Sequence, residues 1–167
     1  RTLDSKGLDI LQVVKNIGSA AHIYGRKVVE MEAFTSMDSW REGPMDLKPL
    51  ADRAFCEGMT RVVYHTMPHS PPEAGLPGWS YFAGTHIHPK MTWWEMSAPF
   101  HRYLTTVGGM LMQGNFVADV AFYYGNDIPN FAHPKHLREG LGYGYDYDDL
   151  NTEVLMTASV ENGLLTL

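Results

Sequence analysis

The stretch "VVEMEAFTS", Val28 to Ser36, sets two glutamates two residues apart in a segment that otherwise reads as a strand. Strand side chains alternate between faces, so Val28, Glu30, Glu32 and Phe34 share one side and Val29, Met31 and Ala33 the other. The apolar side can pack. The acidic side needs solvent, a cation or a site that uses charge, because ionised carboxylates are rarely buried alone. Late in its strand, Glu32 is placed to act as a general base on water, given a second acid across the substrate. Its competing structural reading is a carboxylate paired with an Arg or capping a backbone N–H. Glu30 lies deeper, where an ion pair is the expected role.

Four histidines, His65, His69, His86 and His88, gather in one strand end and the loop after it. They suit hydrogen bonds to sugar hydroxyls or ordinary structural bonding. The "HIH" spacing also suits a metal, although no HExxH or CxxC accompanies it. Trp93 and Trp94 serve equally as core anchors or as a stacking platform, and Trp79 sits in a long loop open to substrate. "YDYDDLN", with Asp146, Asp148, Asp149 and Asn151, lacks the glycine and distal Glu of an EF-hand and reads better as a helix N-cap. His22 inside a helix and Glu95 in a capping-box position are expected to be structural.

These residues need elements to hold them. Ile10, Val13, Val14, Ile17, Ala20, Ala21 and Tyr24 recur at helical spacing after an Asp9/Gln12 capping box, and Gly25 suits the stop. The strand Lys27–Phe34 follows. Leu47, Leu50, Ala51, Ala54 and Phe55 mark a second helix ended by Gly58, and "RVVYHTMPH" a second strand on which His65 and His69 share a face. Helix and strand alternating with short joins is the grammar of a parallel α/β sheet, whose sites lie at the carboxyl ends of the strands. The loop from Ser70 to Met91 is long enough to be functional. "TWWE" is expected to open a helix that Pro99 kinks or restarts, "FVADVAFYYG" a strand before a Pro- and His-containing loop, and "SVENGLLTL" an Asn-Gly hairpin.

Composition sets outer bounds. The 167 residues, 44% hydrophobic and 19% charged, describe a folded domain or parts of two rather than disorder. A net charge of -6 without a Lys/Arg run argues against nucleic acid or an anionic membrane as partner, and a neutral substrate fits better. The lone Cys56 leaves the compartment open. No apolar run reaches the length of a membrane span. Arg1 at one end and "NGLLTL" at the other read as cuts in a longer protein, and an isolated part of a barrel is expected to be poorly soluble or molten.

Together, "AAHIYGRKVVEMEAFTS", "RVVYHTMPHSP", "PGWSYFAGTHIHPKMTWWE", "MLMQGNFVADVAFYYG" and "GYGYDYDDLN" resemble glycoside hydrolase family 106, the α-L-rhamnosidases, in the family's own order. The resemblance implies an α/β fold: residues 1–115 as the later, C-terminal part of a (β/α)8 TIM-like barrel, and 116–167 as the start of a following α/β region. It implies an inverting glycosidase acting on rhamnose-containing oligosaccharides or glycosides, with Glu32 of "EAFT" as general base and the general acid upstream of this chain. A calcium with at least one upstream ligand is implied too, with no organic cofactor. His65, His69, His86, His88, Trp93 and Trp94 fall on the family's sugar-site segments. Secretion or a periplasmic location follows from polymeric substrates. A sugar-binding module without turnover and a His-bound metal protein are the alternatives.

Overall fold

A computed structural model of the chain describes residues 5–127, 141 and 144–167, with side chains from Val13 onward. The "NDIPNFAHPKH" loop expected after Gly125 lies largely outside the described residues, as do the side chains of Ile10 and of the proposed Asp9/Gln12 box.

Helix α1 (Ser5–Ile23) starts ahead of the expected cap. It ends where Gly25 takes φ +63° and Arg26 N–H reaches back to the Ala21 carbonyl at 2.7 Å. Strand β1 (Glu30–Ala33) pairs in parallel with β2 (Arg61–Tyr64), Glu30 opposite Arg61 and Ala33 opposite Tyr64. Helix α2 (Pro44–Cys56) joins them, with Pro44 in its first turn, where no N–H is missed, and Gly43 N–H bonded to Asp46 at 3.0 Å. A left-handed Gly58 (φ +109°) then turns the chain into β2.

One face of this strand pair is covered. Met31, Ala33, Val62 and Tyr64 pack on Leu47, Ala51, Ala54 and Phe55 of α2 and on Phe100 and Leu104 of α3 (Ala98–Leu111). Pro99 sits in the first turn of α3 and restarts the helix, as expected, but "TWWE" does not open it. Trp94–Met96 form a separate 3-10 turn without a side-chain cap, because the Pro99 ring cannot follow a continuous helical backbone.

Strand β3 (Val120–Tyr123) pairs in parallel with β4 (Tyr147–Leu150). "YDYDDLN" is therefore mostly strand, and only Asn151 acts as a cap, accepting from Val154 N–H at 2.9 Å to start α4 (Thr152–Thr157). The aspartates have bases to meet instead. Lys15 of α1, 2% exposed, reaches Asp146 at 2.7 Å and lies over the Phe116 and Tyr147 rings, while His22 meets Asp148 at 2.9 Å and Ser19 Oγ accepts from Asp149 N–H at 2.6 Å. Helix α1 thus buries Val14, Lys15 and Ser19, and leaves Val13, Ile17 and Tyr24 of its apolar stripe exposed. Its polar pairing with β4, rather than the stripe, orients it.

The hairpin β5 (Ser159–Glu161) and β6 (Leu164–Thr166) turns at Asn162 and Gly163, both at positive φ, as the Asn-Gly pair predicts. Among the described residues the strands form three two-stranded sheets. Parallel α/β pairing is present, and no closed ring of strands is formed.

Candidate active site

Because the helices cover the Met31/Ala33 face, Glu30 and Glu32 project from the other, with Arg61 and Val63 beside them in register. Arg61 Nη1 lies 2.9 Å from Glu30 Oε1, so Glu30 carries the ion pair expected of it. Glu32 is exposed, and its carboxylate has no hydrogen bond or ion pair among the described residues. It borders a hollow of about 340 Å³ between β1 and the Val13/Ile17 side of α1. Phe34 leaves the alternation: at φ +68° the chain turns over, and its ring joins the helix-side core, 5.9 Å from Tyr64 and 6.3 Å from Phe100.

The carboxyl ends of β1 and β2 are closed by a returning segment, Ala83–His88, buried throughout. Gly84 N–H bonds to Ser36 O at 2.6 Å and Thr85 N–H to Phe34 O at 2.8 Å. On the other side Thr66 N–H bonds to Thr85 O at 3.1 Å and Ile87 N–H to Thr66 O at 3.0 Å. Glu42 fastens the same region, its Oε2 accepting from the hydroxyls of Ser36 and, at 2.6 Å, Thr85.

The four histidines divide by what their ring nitrogens do. Strand β2 stops at Tyr64, so His65 and His69 belong to the loop rather than to one strand face. His86 is fully buried: its Nε2 accepts from Tyr81 N–H at 3.1 Å, which leaves Nδ1 to donate to Gly84 O at 3.1 Å. Burial holds its pKa below the usual imidazole value, against the opposing pull of the Gly84 carbonyl. His88, 2% exposed, accepts at Nδ1 from Lys90 N–H at 3.1 Å and keeps a buried Nε2 without a partner. Its pKa is lowered by burial first, then by His86 and Lys90. The buried Nδ1 of His65 is likewise unpartnered, and its ring meets Tyr81 edge-on at 5.6 Å. His69 is exposed and meets Trp79 edge-on at 5.8 Å.

Trp93 and Trp94 pack against the core; Trp93 donates its indole N–H to Glu42 O at 3.2 Å, and Trp94 tilts onto His101 at 5.9 Å. Trp40, which spacing did not single out, lies tilted against His86 at 4.3 Å and meets His88 edge-on at 5.6 Å. Trp40 and Glu42 lie in "TSMDSWREG", too irregular for a motif. The signal that could have found them is position alone, in the loop after β1 at the same strand ends. Among the described residues no three His, Cys, Asp or Glu side chains form a group that could hold a metal ion. No described helix is long and apolar enough to cross a membrane.

Sites of α/β enzymes lie at the carboxyl ends of parallel strands, where Glu32 and the loop after β2 are found, and comparison with known proteins defines the class as a glycoside hydrolase domain. Residues 6–167 match the family described as alpha-L-rhamnosidase, glycoside hydrolase family 106, and the chain belongs to that family. A solved rhamnosidase from Novosphingobium sp. PP1Y superposes with a TM-score of 0.72 at 30% identity, over 90% of this chain and 15% of that one. A protein of Formosa agariphila named "Putative beta-glucuronidase" is 37% identical over 160 residues, 95% of this chain and 14% of the relative. The chain thus spans about one seventh of either.

Proposed function

We propose that this chain contributes the general base to an inverting α-L-rhamnosidase that removes terminal rhamnosyl residues from plant polysaccharides or glycosides. The observation that carries the reading is the contrast on β1: Glu30 is neutralised by Arg61, and Glu32 on the same face is left open to solvent. A carboxylate so placed can take the proton from water as the water oxygen attacks the anomeric carbon. A second carboxyl, upstream of this chain by family resemblance, protonates the departing oxygen, and an inverting pair stands about 6.5–9.5 Å apart.

In this reading residues 1–115 are the later units of a (β/α)8 barrel, with the Glu32 face turned inward, and 116–167 open the next α/β region. The same reading gives His65 and His69 sugar hydroxyls as their partners. His86, His88, Trp93 and Trp94, being buried or half-buried, support the wall that faces the sugar. The resemblance also implies a calcium with an upstream ligand; the described residues offer no three-ligand cluster, and no step is assigned to the ion. The polymeric substrates suggest a secreted or periplasmic enzyme.

The test is to incubate the full-length enzyme with an aryl α-L-rhamnoside and follow the anomer of the released sugar by proton NMR. Initial release of the β-anomer is expected. Initial α-anomer contradicts inversion, and a folded, calcium-supplied protein that releases nothing favours a sugar-binding module.

A further inference from the structure

Phe34 stands two residues beyond Glu32 in a conformation that its side chain does not favour. At φ +68° it is left-handed, which a bulky aromatic residue rarely adopts unless its surroundings hold it there. The reversal matters for the strand face. In an extended chain Phe34 would follow the alternation of Glu30 and Glu32 and set its ring on their side. Turned over, the ring joins the helix-side core and leaves Glu32 exposed.

The groups that hold the reversal converge on one carboxylate. Thr85 is fully buried and uses all its polar groups here: N–H on Phe34 O at 2.8 Å, carbonyl on Thr66 N–H at 3.1 Å, hydroxyl on Glu42 Oε2 at 2.6 Å. Ser36, just past the reversal, donates its hydroxyl to the same Oε2, accepts from Asp38 N–H at 3.2 Å, and takes Gly84 N–H on its carbonyl at 2.6 Å. Glu42 is itself anchored to the helix layer. It directly precedes Gly43 at the start of α2, and its carbonyl accepts the Trp93 indole N–H at 3.2 Å. Among the described residues no base pairs with the Glu42 carboxylate, and Oε1 has no hydrogen bond. Two hydroxyls on one carboxylate oxygen are charge-assisted bonds, the stronger kind.

We propose that Glu42 is a positioning residue for the general base: by holding Ser36 and Thr85 about the Phe34 reversal, it fixes where β1 ends and keeps the Phe34 ring off the Glu32 face. The inference rests on the assignment of Glu32 as base. The Glu32 side chain has no partner of its own among the described residues, so the backbone on either side aims it. Strand pairing holds that backbone up to Ala33, and the Glu42 fastening holds it beyond. A displacement of about 1 Å at a reacting group can lower a rate by about 10²-fold.

The experiment measures kcat and KM of the full-length enzyme on an aryl α-L-rhamnoside. In Glu42→Ala, kcat should fall roughly 10–100-fold with KM changed less than about threefold. Glu42→Gln, whose amide oxygen can take both hydroxyls while its NH2 stands in the unbonded Oε1 position, should recover most of that loss. The same change is then made in a Glu32→Gln background. A residue that acts through Glu32 has nothing left to position there, so adding Glu42→Ala should alter the residual kcat by less than about twofold. Equal fold-losses in both backgrounds, a parental kcat in Glu42→Ala, or a loss carried by KM would overturn the positioning role and leave the base assignment standing. A parental kcat in Glu32→Gln would overturn both. Should Glu42→Ala not fold, Thr85→Val keeps the buried volume and removes one of the two hydroxyls; kcat should then fall about fivefold, again only while Glu32 is present. A parental kcat in Thr85→Val would overturn the positioning role.

Discussion

Arg61 Nη1 lies 2.9 Å from Glu30 Oε1, so of the two carboxylates on one face of β1, Arg61 takes Glu30 and leaves Glu32 unpaired among the described residues. The pair is about half exposed on both sides, where an ion pair contributes under about 1 kcal/mol. Glu30→Gln should therefore barely move the melting temperature and should leave kcat within about tenfold. A loss as deep as that of a Glu32 substitution would show that the two act as a unit.

Lys15 should be the costlier charge to disturb. It is buried between Phe116 and Tyr147, whereas the Asp146 side chain is 34% exposed and can rehydrate. Lys15→Ala is expected to destabilise by about 2–4 kcal/mol, Lys15→Met by less, since Met keeps the apolar stem. Denaturant unfolding of Lys15→Ala, Asp146→Asn and the double variant should give a coupling energy of about 1–3 kcal/mol. Additive losses would mean that packing alone, without the charge pair, ties α1 to β4.

Neighbouring glycines in α3 should respond oppositely. A Cβ on Gly108 would fall 2.2 Å from Thr60 O, while one on Gly109 meets nothing within 4 Å. Gly108→Ala should cost about 2 kcal/mol or more, by forcing α3 off the start of β2. Gly109→Ala, helical and unobstructed, should stabilise by about 0.5–1 kcal/mol. Melting temperatures of the two variants decide this; equal shifts would contradict the close crossing.

Stability should decline in mild acid. Burial lowers the pKa of His86, His88 and His101 in the folded state, so these rings stay neutral at a pH where the unfolded chain, with histidines near about 6.5, already binds protons. Their contribution is present above about pH 6.5 and is lost as pH falls below it, by up to about 1.4 kcal/mol per pH unit for each ring. Denaturant midpoints measured from pH 8 to 5 should show the fall, and His101→Gln should make it shallower. A flat profile would contradict buried neutral imidazoles.

Local patterns made much of this legible, and long-range partners account for the rest. Parallel α/β pairing, the Asn-Gly turn, the Pro99 restart and the structural role of Glu30 follow from periodicity, turn chemistry and proline geometry, all written within a few residues. The α1 face was not legible, because its apolar stripe is ordinary while its orientation is set by aspartates more than 120 residues away. Gly108 of α3 carries no local signal of its role, which comes from the Thr60 carbonyl lying against it. Phe34 broke its strand alternation through one positive φ. Residue type and position at the strand ends single out Glu32 and the histidines as candidates, whereas Trp40 and Glu42 acquire meaning only from His86 and Thr85 folding back onto them.

The central claim, that Glu32 takes the proton from the attacking water, is tested most directly by kcat of Glu32→Gln in the full-length enzyme on an aryl α-L-rhamnoside. Glutamine keeps the shape and removes the basicity, so kcat should drop by about 10²–10⁴-fold with KM little changed and the melting temperature preserved. Turnover within a few-fold of the parent would contradict the assignment and move the base to another carboxylate.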